Sequence, residues 1–308
     1  MNLPATPVAW AIKISTLLQA VQTGTGEPMY PVNVQEIAQH ISKHFFPNAP
    51  ITKISGEAFN GNFEGALIQV PGTKNSWGIA YNTAIKSSGR INFTLAHEFG
   101  HYLLHRESLK NGIECSRRDM MRWDGEHNKR EAEANEFASY LLMPRNLFEI
   151  EMQKGDLSLH LLQHVADYFD VSLTAAILKW LSFTTERAML VVGKDGFVDW
   201  VWHSENLIKS GVYMQPKREP IELPLQSLAA NKDIEFDNVT GVTHSAGVWP
   251  FKEDVQEMTV HADTYDMTIT LLVFPKHASR QWSEDEEEPE PYDSYDNFVS
   301  FDKKMSGK

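Results

Sequence analysis

The sequence predicts an α+β fold, on three observations. Helical periodicity fills the first forty-odd residues and returns from residue 91 to residue 187. Short β-type runs between turn signals occupy residues 51 to 83. From Ala188 onward the pattern changes to alternating strands and turns, which predicts a separate antiparallel sheet. The expected organisation is a domain over residues 1–155, where a small sheet leads into paired helices, and a helix-turn-helix-like unit over 156–187. A β-rich C-terminal domain over 188–282 and an acidic, disordered tail over 283–308 complete it.

The opening MNLPATPVAWAIKISTLLQAV has no basic lead and no small-residue cleavage site, and Lys13 interrupts its apolar run. It reads as a first helix rather than a signal peptide. A Gly/Pro-rich break, TGTGEPMYP, separates it from a second helix that starts near Asn33 and carries Ile37, Ile41 and Phe45 on one face. ITKIS, FEGALIQV and WGIAYN read as strands, divided by Asn-Gly and Pro-Gly turns. One of them is expected to offer its edge to a substrate held as an added strand.

The next helix carries the chemistry. Residues 91–107 read INFTLAHEFGHYLLHRE, three histidines and a glutamate among apolar residues. Positions four apart share a helix face, so His97, His101 and His105 form one file. Adjacent members can grip one ion, but His97 and His105 lie about 12 Å apart along the axis. His97-Glu98-x-x-His101 is the spacing in which two imidazoles bind zinc and the carboxylate serves as base. The pair His101 and His105 has no such carboxylate, which leaves His105 in a supporting role. Phe93, Leu95, Ala96, Phe99, Leu103 and Leu104 mark the helix as buried, and a buried imidazole or carboxylate needs a polar partner. Gly100 is costly in a helix, so close packing is expected there.

A third protein ligand is expected downstream, in NKREAEANEFASYLLMP. Asn128 is a candidate cap for a helix ending before Pro144. Glu131 and Glu133 both extend its apolar stripe, whereas Glu136 points away. Glu131 also suits a reach back to the cap, and periodicity does not choose between the two.

The run TLAHEFGHYLLH followed by EAEANEFASYLLMP resembles the ImmA/IrrE family of metallo-endopeptidases. The match is specific over about residues 60 to 148 and loose beyond 190. The resemblance implies a zincin-like metallopeptidase domain and a Zn2+ ion held by His97, His101 and a Glu on the following helix. Aligning on Leu142-Met143-Pro144 places that ligand on Glu131, with Asn135 beside the ligands and Glu133 as the alternative ligand. Glu98 is then the catalytic base that takes a proton from the attacking water and passes it to the departing amine. Tyr102, His105 and His127 are candidates for stabilising the oxyanion. The family also implies a narrow protein substrate, a repressor of the helix-turn-helix type cut in response to stress or mobile-element signals.

Residues 157–187 form two helices around Phe169-Asp170-Val171-Ser172, which reads as a helix-turn-helix. A DNA-reading version presents Arg, Lys, Asn or Gln early in its second helix. This one begins Ser-Leu-Thr-Ala-Ala among Asp156, Asp167 and Asp170, so a docking or structural role is expected. His160 and His164 are one turn apart without a following Glu and read as surface residues. Further on, Lys-Asp-Gly in AMLVVGKDGFVDWVW marks a hairpin, and VQEMTVHADTYDMTITLLVF supplies two more strands. Trp200, Trp202, Trp249 and Phe274 fit either a ligand pocket or an ordinary β core.

Composition narrows the remaining classes. With 42% hydrophobic residues over 308 positions, the chain can bury one large core or two modest ones. A net charge of −13 opposes a protein-wide nucleic-acid surface, and no segment is apolar enough to span a bilayer. The tail SEDEEEPEPYDSYDNFVSFDKKMSGK supplies nine acids and three lysines, close to half that charge. One cysteine, Cys115, rules out an internal disulfide framework and points to the cytoplasm. Cys115 is either an idle thiol or a thiolate that covers the metal in a latent enzyme. The competing functions are a regulatory binding protein with a structural zinc site and a DNA-binding regulator. An intact Glu98 opposes the first, and the acidic helix-turn-helix opposes the second.

Overall fold

The computed structural model describes residues 3–59, 63–73, 75–109, 125–216, 218–234, 236–237, 239–262 and 266–276, without the side chains of 125–128. Cys115, the His127 side chain and the acidic tail lie outside the described residues. The chain divides into two compact units. Of the described residues, one comprises those up to Glu151 with Ala166–Ser172, and the other comprises Met152–Val165 with those from Leu173 to Lys276.

In the first unit, α1 (Pro7–Thr25) begins where the Thr6 side chain caps it and Pro7 takes the first helical position, and ends at Gly26 with φ 76°. Asn33 caps α2 (Val34–Phe45), accepting from the Glu36 amide at 3.3 Å. Strands β1 (Ile51–Glu57), β2 (Gly65–Gln69) and β3 (Trp77–Asn82) form a sheet of order β1-β3-β2. Strand β3 is parallel to β1 and antiparallel to β2, which leaves β2 on an edge. Asn82 secures the β1–β2 connection, donating to the carbonyls of Phe59 and Phe63 at 3.1 and 2.8 Å and accepting from the Phe59 amide at 3.0 Å.

The Ser87 side chain caps α3 (Ser88–His105), accepting from the Arg90 amide at 3.3 Å. Its first turn is seated on the bend that follows α6 (Leu159–Phe169). Ser88 donates to the Asp170 carboxylate at 2.6 Å, and a Cβ on Gly89 would meet the Val171 carbonyl carbon at 2.6 Å. Helix α4 (Gly125–Leu142) starts three residues before Asn128, so Asn128 is not its cap and the capping role considered for Glu131 falls away. Gly100 of α3 meets α4 closely, as its cost in a helix implied. A Cβ there would lie 3.0 Å from Phe137 Cδ1 and 3.2 Å from the Ala134 Cα. Phe99, Tyr102, Phe137, Leu141 and Phe148, the last on α5 (Arg145–Met152), are fully buried in this core.

In the second unit, strands β4 (Ala188–Lys194), β5 (Phe197–His203), β6 (Val242–His244), β7 (Val255–Ala262) and β8 (Met267–Val273) form an antiparallel sheet of order β5-β4-β8-β7-β6. The β4–β5 hairpin turns at Asp195 and Gly196, φ 50° and 81°, the left-handed pair that matches strand twist. Helix α7 (Leu173–Leu181) packs on β4 and β5, and α8 (Glu205–Lys209) packs on β4. Trp249 and Phe274 belong to the core on one face of the sheet, with Met189, Val191 and Leu272. Trp200 and Trp202, paired with Val192 and Leu190, alternate onto the opposite face, so the four aromatic residues do not line one pocket.

The core also contains a carboxyl group. Glu257 is fully buried and accepts from the Ala229 amide (2.8 Å), Thr259 (2.9 Å), Trp249 Nε1 (3.1 Å) and His244 Nε2 (2.8 Å). Four donors replace its lost hydration, which makes the burial tolerable.

Candidate metal centre

The α3–α4 crossing brings together one carboxylate and two imidazoles from the sequence motif. His97 Nε2 and His101 Nε2 are 3.0 Å apart, and the Glu131 carboxylate lies 3.3 Å from the first and 3.1 Å from the second. Donors at about 2.0–2.1 Å from one tetrahedral zinc lie about 3.3 Å from each other. With Oε2 of Glu131 nearest His97 and Oε1 nearest His101, these separations suit a single divalent ion, and among the described residues this is the group with donors so placed. His101 is sealed from solvent, whereas the side chains of His97 and Glu131 keep 13% and 15% exposure. Access to the site is thus from the His97–Glu131 side.

Each imidazole presents Nε2 to the trio and uses Nδ1 elsewhere. His97 Nδ1 is 2.6 Å from Asn135 Oδ1, and His101 Nδ1 is 3.0 Å from His105 Nδ1. Glu133, the alternative ligand, faces away from the trio and meets His105 Nε2 at 2.9 Å. The helix crossing explains the split. Gly100 against Ala134 brings Glu131 and Asn135 to the His97–His101 face and leaves Glu133 beside the last turn of α3.

Burial raises the cost of ionising Glu131, but hydrogen bonds from His101 and His97 outweigh it and hold the carboxyl well below its usual range. Burial and the neighbouring His97 push His101 down to about 4, so it is neutral at pH 7, as an imidazole ligand must be. For His97, burial works downward but Glu131, aided by Glu98, lifts it to about 9. The His97–Glu131 ion pair therefore keeps a proton that an incoming metal displaces.

Glu98 follows His97 on α3 and is 2% exposed. Strand β2 lies against it. A Cβ on Gly65 would sit 3.3 Å from Glu98 Cγ and 2.5 Å from Thr94 Cγ2, so Gly65 admits this contact. Arg90 and Thr94 of α3 bond the Glu64 carboxylate at 2.5 and 3.5 Å, which ties the start of β2 to the same helix face. No signal in the sequence marked Glu64, Gly65 or Arg90.

Two oxyanion candidates are occupied elsewhere. Tyr102 is fully buried and its hydroxyl donates to the Ala49 carbonyl at 2.7 Å, because one step from His101 turns it about 100° into the core. His105 is engaged by His101 and Glu133. The helix expected to read DNA in a helix-turn-helix is covered. Each of the nine residues of α7 is buried or half-buried, including Lys179. His160 and His164 are exposed and belong to no metal-holding group among the described residues.

Two imidazoles and one carboxylate on crossing helices, with a buried carboxylate beside them, form a group that could hold a metal ion. The model of the IrrE N-terminal-like domain, a peptidase family, matches residues 48–181, which hold all three strands of the first sheet and both helices of the site. A Mycobacterium tuberculosis transcriptional regulator of known structure is similar to it with a TM-score of 0.48 and 14% identity, over 85% of this chain and 76% of the other. No curated protein matches the chain. Among the described residues no helix is long and apolar enough to cross a membrane.

Proposed function

We propose that this chain is a zinc-dependent endopeptidase that cuts a repressor-type protein. The observation that carries the reading is the convergence of His97, His101 and Glu131 within 3.0–3.3 Å, next to buried Glu98. Zinc held by these residues would supply Lewis acidity for the attack of water on the peptide carbonyl. Glu98 takes the proton of that water and returns it to the amine nitrogen as the peptide bond breaks. Glu131 and the two imidazoles would hold the ion, and Asn135 accepts the His97 proton on Nδ1.

A zincin-like path for the substrate is consistent with β2. The Val70 amide bonds Ser76 and the Glu64 carbonyl bonds Asn82, so even-numbered residues of β2 face β3. Gly65, Leu67 and Gln69 then turn their amides and carbonyls to the free edge, where an extended segment can add as a fourth strand. Gly65 lies against Glu98, so that strand passes the base. The repressor substrate follows from the family resemblance. A purely structural zinc site has no use for a buried base, and a DNA reader needs the α7 surface that is covered.

The test incubates the zinc-loaded chain with repressors encoded beside its gene, in parallel with Glu98→Gln. Cleavage by the parent alone, with equal zinc content in both, is the expected result. Equal cleavage by Glu98→Gln removes the proposed base, and operator binding without cleavage replaces the reading with a DNA-binding one.

A further inference from the structure

A neutral imidazole has one N–H and one bare nitrogen. To ligate through Nε2, a histidine must carry its proton on Nδ1, and the group that accepts that proton fixes the tautomer. His97 meets this requirement directly, since the Asn135 oxygen is an acceptor 2.6 Å from its Nδ1. His101 does not, because its Nδ1 faces another ring nitrogen, His105 Nδ1, at 3.0 Å. Two facing nitrogens bond only if one is protonated and the other bare. His105 in its Nε2–H form offers a bare Nδ1 and accepts from His101. In its Nδ1–H form it presents a donor and drives the His101 proton to Nε2, the atom the metal needs.

The choice is therefore made one residue further out. His105 Nε2 lies 2.9 Å from Glu133 Oε2, and a carboxylate only accepts. Glu133 draws the His105 proton to Nε2, His105 Nδ1 is left bare, and the His101 proton is drawn to Nδ1. Burial leaves little competition from water, since His101 is 0% and His105 6% exposed. The other Glu133 oxygen looks outward to Lys129 at 3.9 Å. We infer that Glu133 is a positioning residue: it acts through His105 to hold the metal ligand His101 in its Nδ1–H tautomer. The inference rests on the reading of His97, His101 and Glu131 as the metal ligands, and gives Glu133 a role without placing it on the metal.

The experiment titrates the metal-free full chain with zinc alone against a competing chelator, for the parent, Glu133→Ala, Glu133→Gln, His105→Ala and Glu131→Ala. In parallel, ring-nitrogen NMR of the metal-free proteins reads the tautomers of His101 and His105. The Glu133 side chain is 33% exposed and Ala suits a helix, so its removal leaves α4 intact, which far-UV circular dichroism checks. Glu133→Ala is expected to weaken zinc about 10- to 100-fold and to mix the tautomers of both rings. Glu133→Gln keeps an acceptor oxygen in reach and is expected to restore most of the affinity. His105→Ala should lose at least as much as Glu133→Ala. Parent-like affinity in Glu133→Ala, or lost affinity with unchanged ring signals, overturns the inference. Full zinc binding by Glu131→Ala instead overturns the metal site itself, so the two failures are separable.

Discussion

Adding one methyl group at Gly100 tests how the α3–α4 crossing builds the site. The new Cβ in Gly100→Ala would lie 3.0 Å from Phe137 Cδ1 and 3.2 Å from both Ala134 Cα and the Ala134 carbonyl oxygen. Carbon atoms pack best at about 3.5–4.0 Å, so the helices must part by about half an ångström. Alanine gains about 1 kcal/mol over glycine in a helix interior, and overpacking costs about 1–3 kcal/mol. The net effect on the metal-free fold is a loss of about 0–2 kcal/mol. Metal binding is less forgiving, because ligand distances tolerate only about 0.2 Å and Glu131 sits one turn from Ala134. The zinc dissociation constant should therefore rise about tenfold or more, equivalent to about 1.4 kcal/mol. Urea unfolding of the metal-free protein and chelator competition for zinc separate the two effects. A variant more stable by the full 1 kcal/mol with parental zinc affinity would refute the close crossing.

Three further outcomes follow from the packing. Gly89→Ala pushes a methyl into the Val171 backbone at 2.6–2.7 Å and should cost about 3 kcal/mol, against about 1 kcal/mol for Ser88→Ala. Equal losses in urea would show that the α6–α7 bend is not seated on α3. Glu257→Ala strands four buried donors and should cost about 3–5 kcal/mol, read as a lower melting temperature. A change below 1 kcal/mol would contradict that network. Burial lowers His203 from 6.5 to about 4, so between those values the unfolded chain takes up a proton that the folded one refuses. Its contribution is complete above pH 6.5 and is lost as the pH falls toward 4. His203→Gln keeps an acceptor for the Met214 amide and removes the titration. The parent should lose about 2–3 kcal/mol relative to this variant between pH 7 and pH 4, and parallel stability curves would rule that out.

The helix with the His97-Glu98-x-x-His101 motif was legible because its information is local. Four-residue spacing alone puts His97 and His101 on one face, and the glycine beside them announces a close neighbour. The third member of the cluster was not local. Glu131 and Glu133 both lie on the half-buried side of α4, and only the contact of Gly100 with Ala134 decides which of them meets the imidazoles. Tyr102 shows the converse error, since adjacency in sequence to His101 is a turn of about 100° away from it in space. Strand positions in the first sheet followed from short β-type runs between turn signals. The order β1-β3-β2, with β1 parallel to β3, depends on pairing between distant segments that no strand pattern records. The Glu257 network left one trace that was overlooked: a glutamate at an inward position of the alternating run VQEMTV, where strand period demands an apolar residue. The bend at Asp170 was visible as a turn, but its seat on Gly89 was not.

Anomalous diffraction at the zinc edge, from crystals of the zinc-loaded chain, tests the central claim directly. The expected map has a single strong peak about 2.0–2.1 Å from His97 Nε2, His101 Nε2 and a Glu131 oxygen, with the Glu98 carboxylate beside it and Glu133 still on His105. A peak held by other residues, or one that leaves Glu131 unligated, contradicts the account.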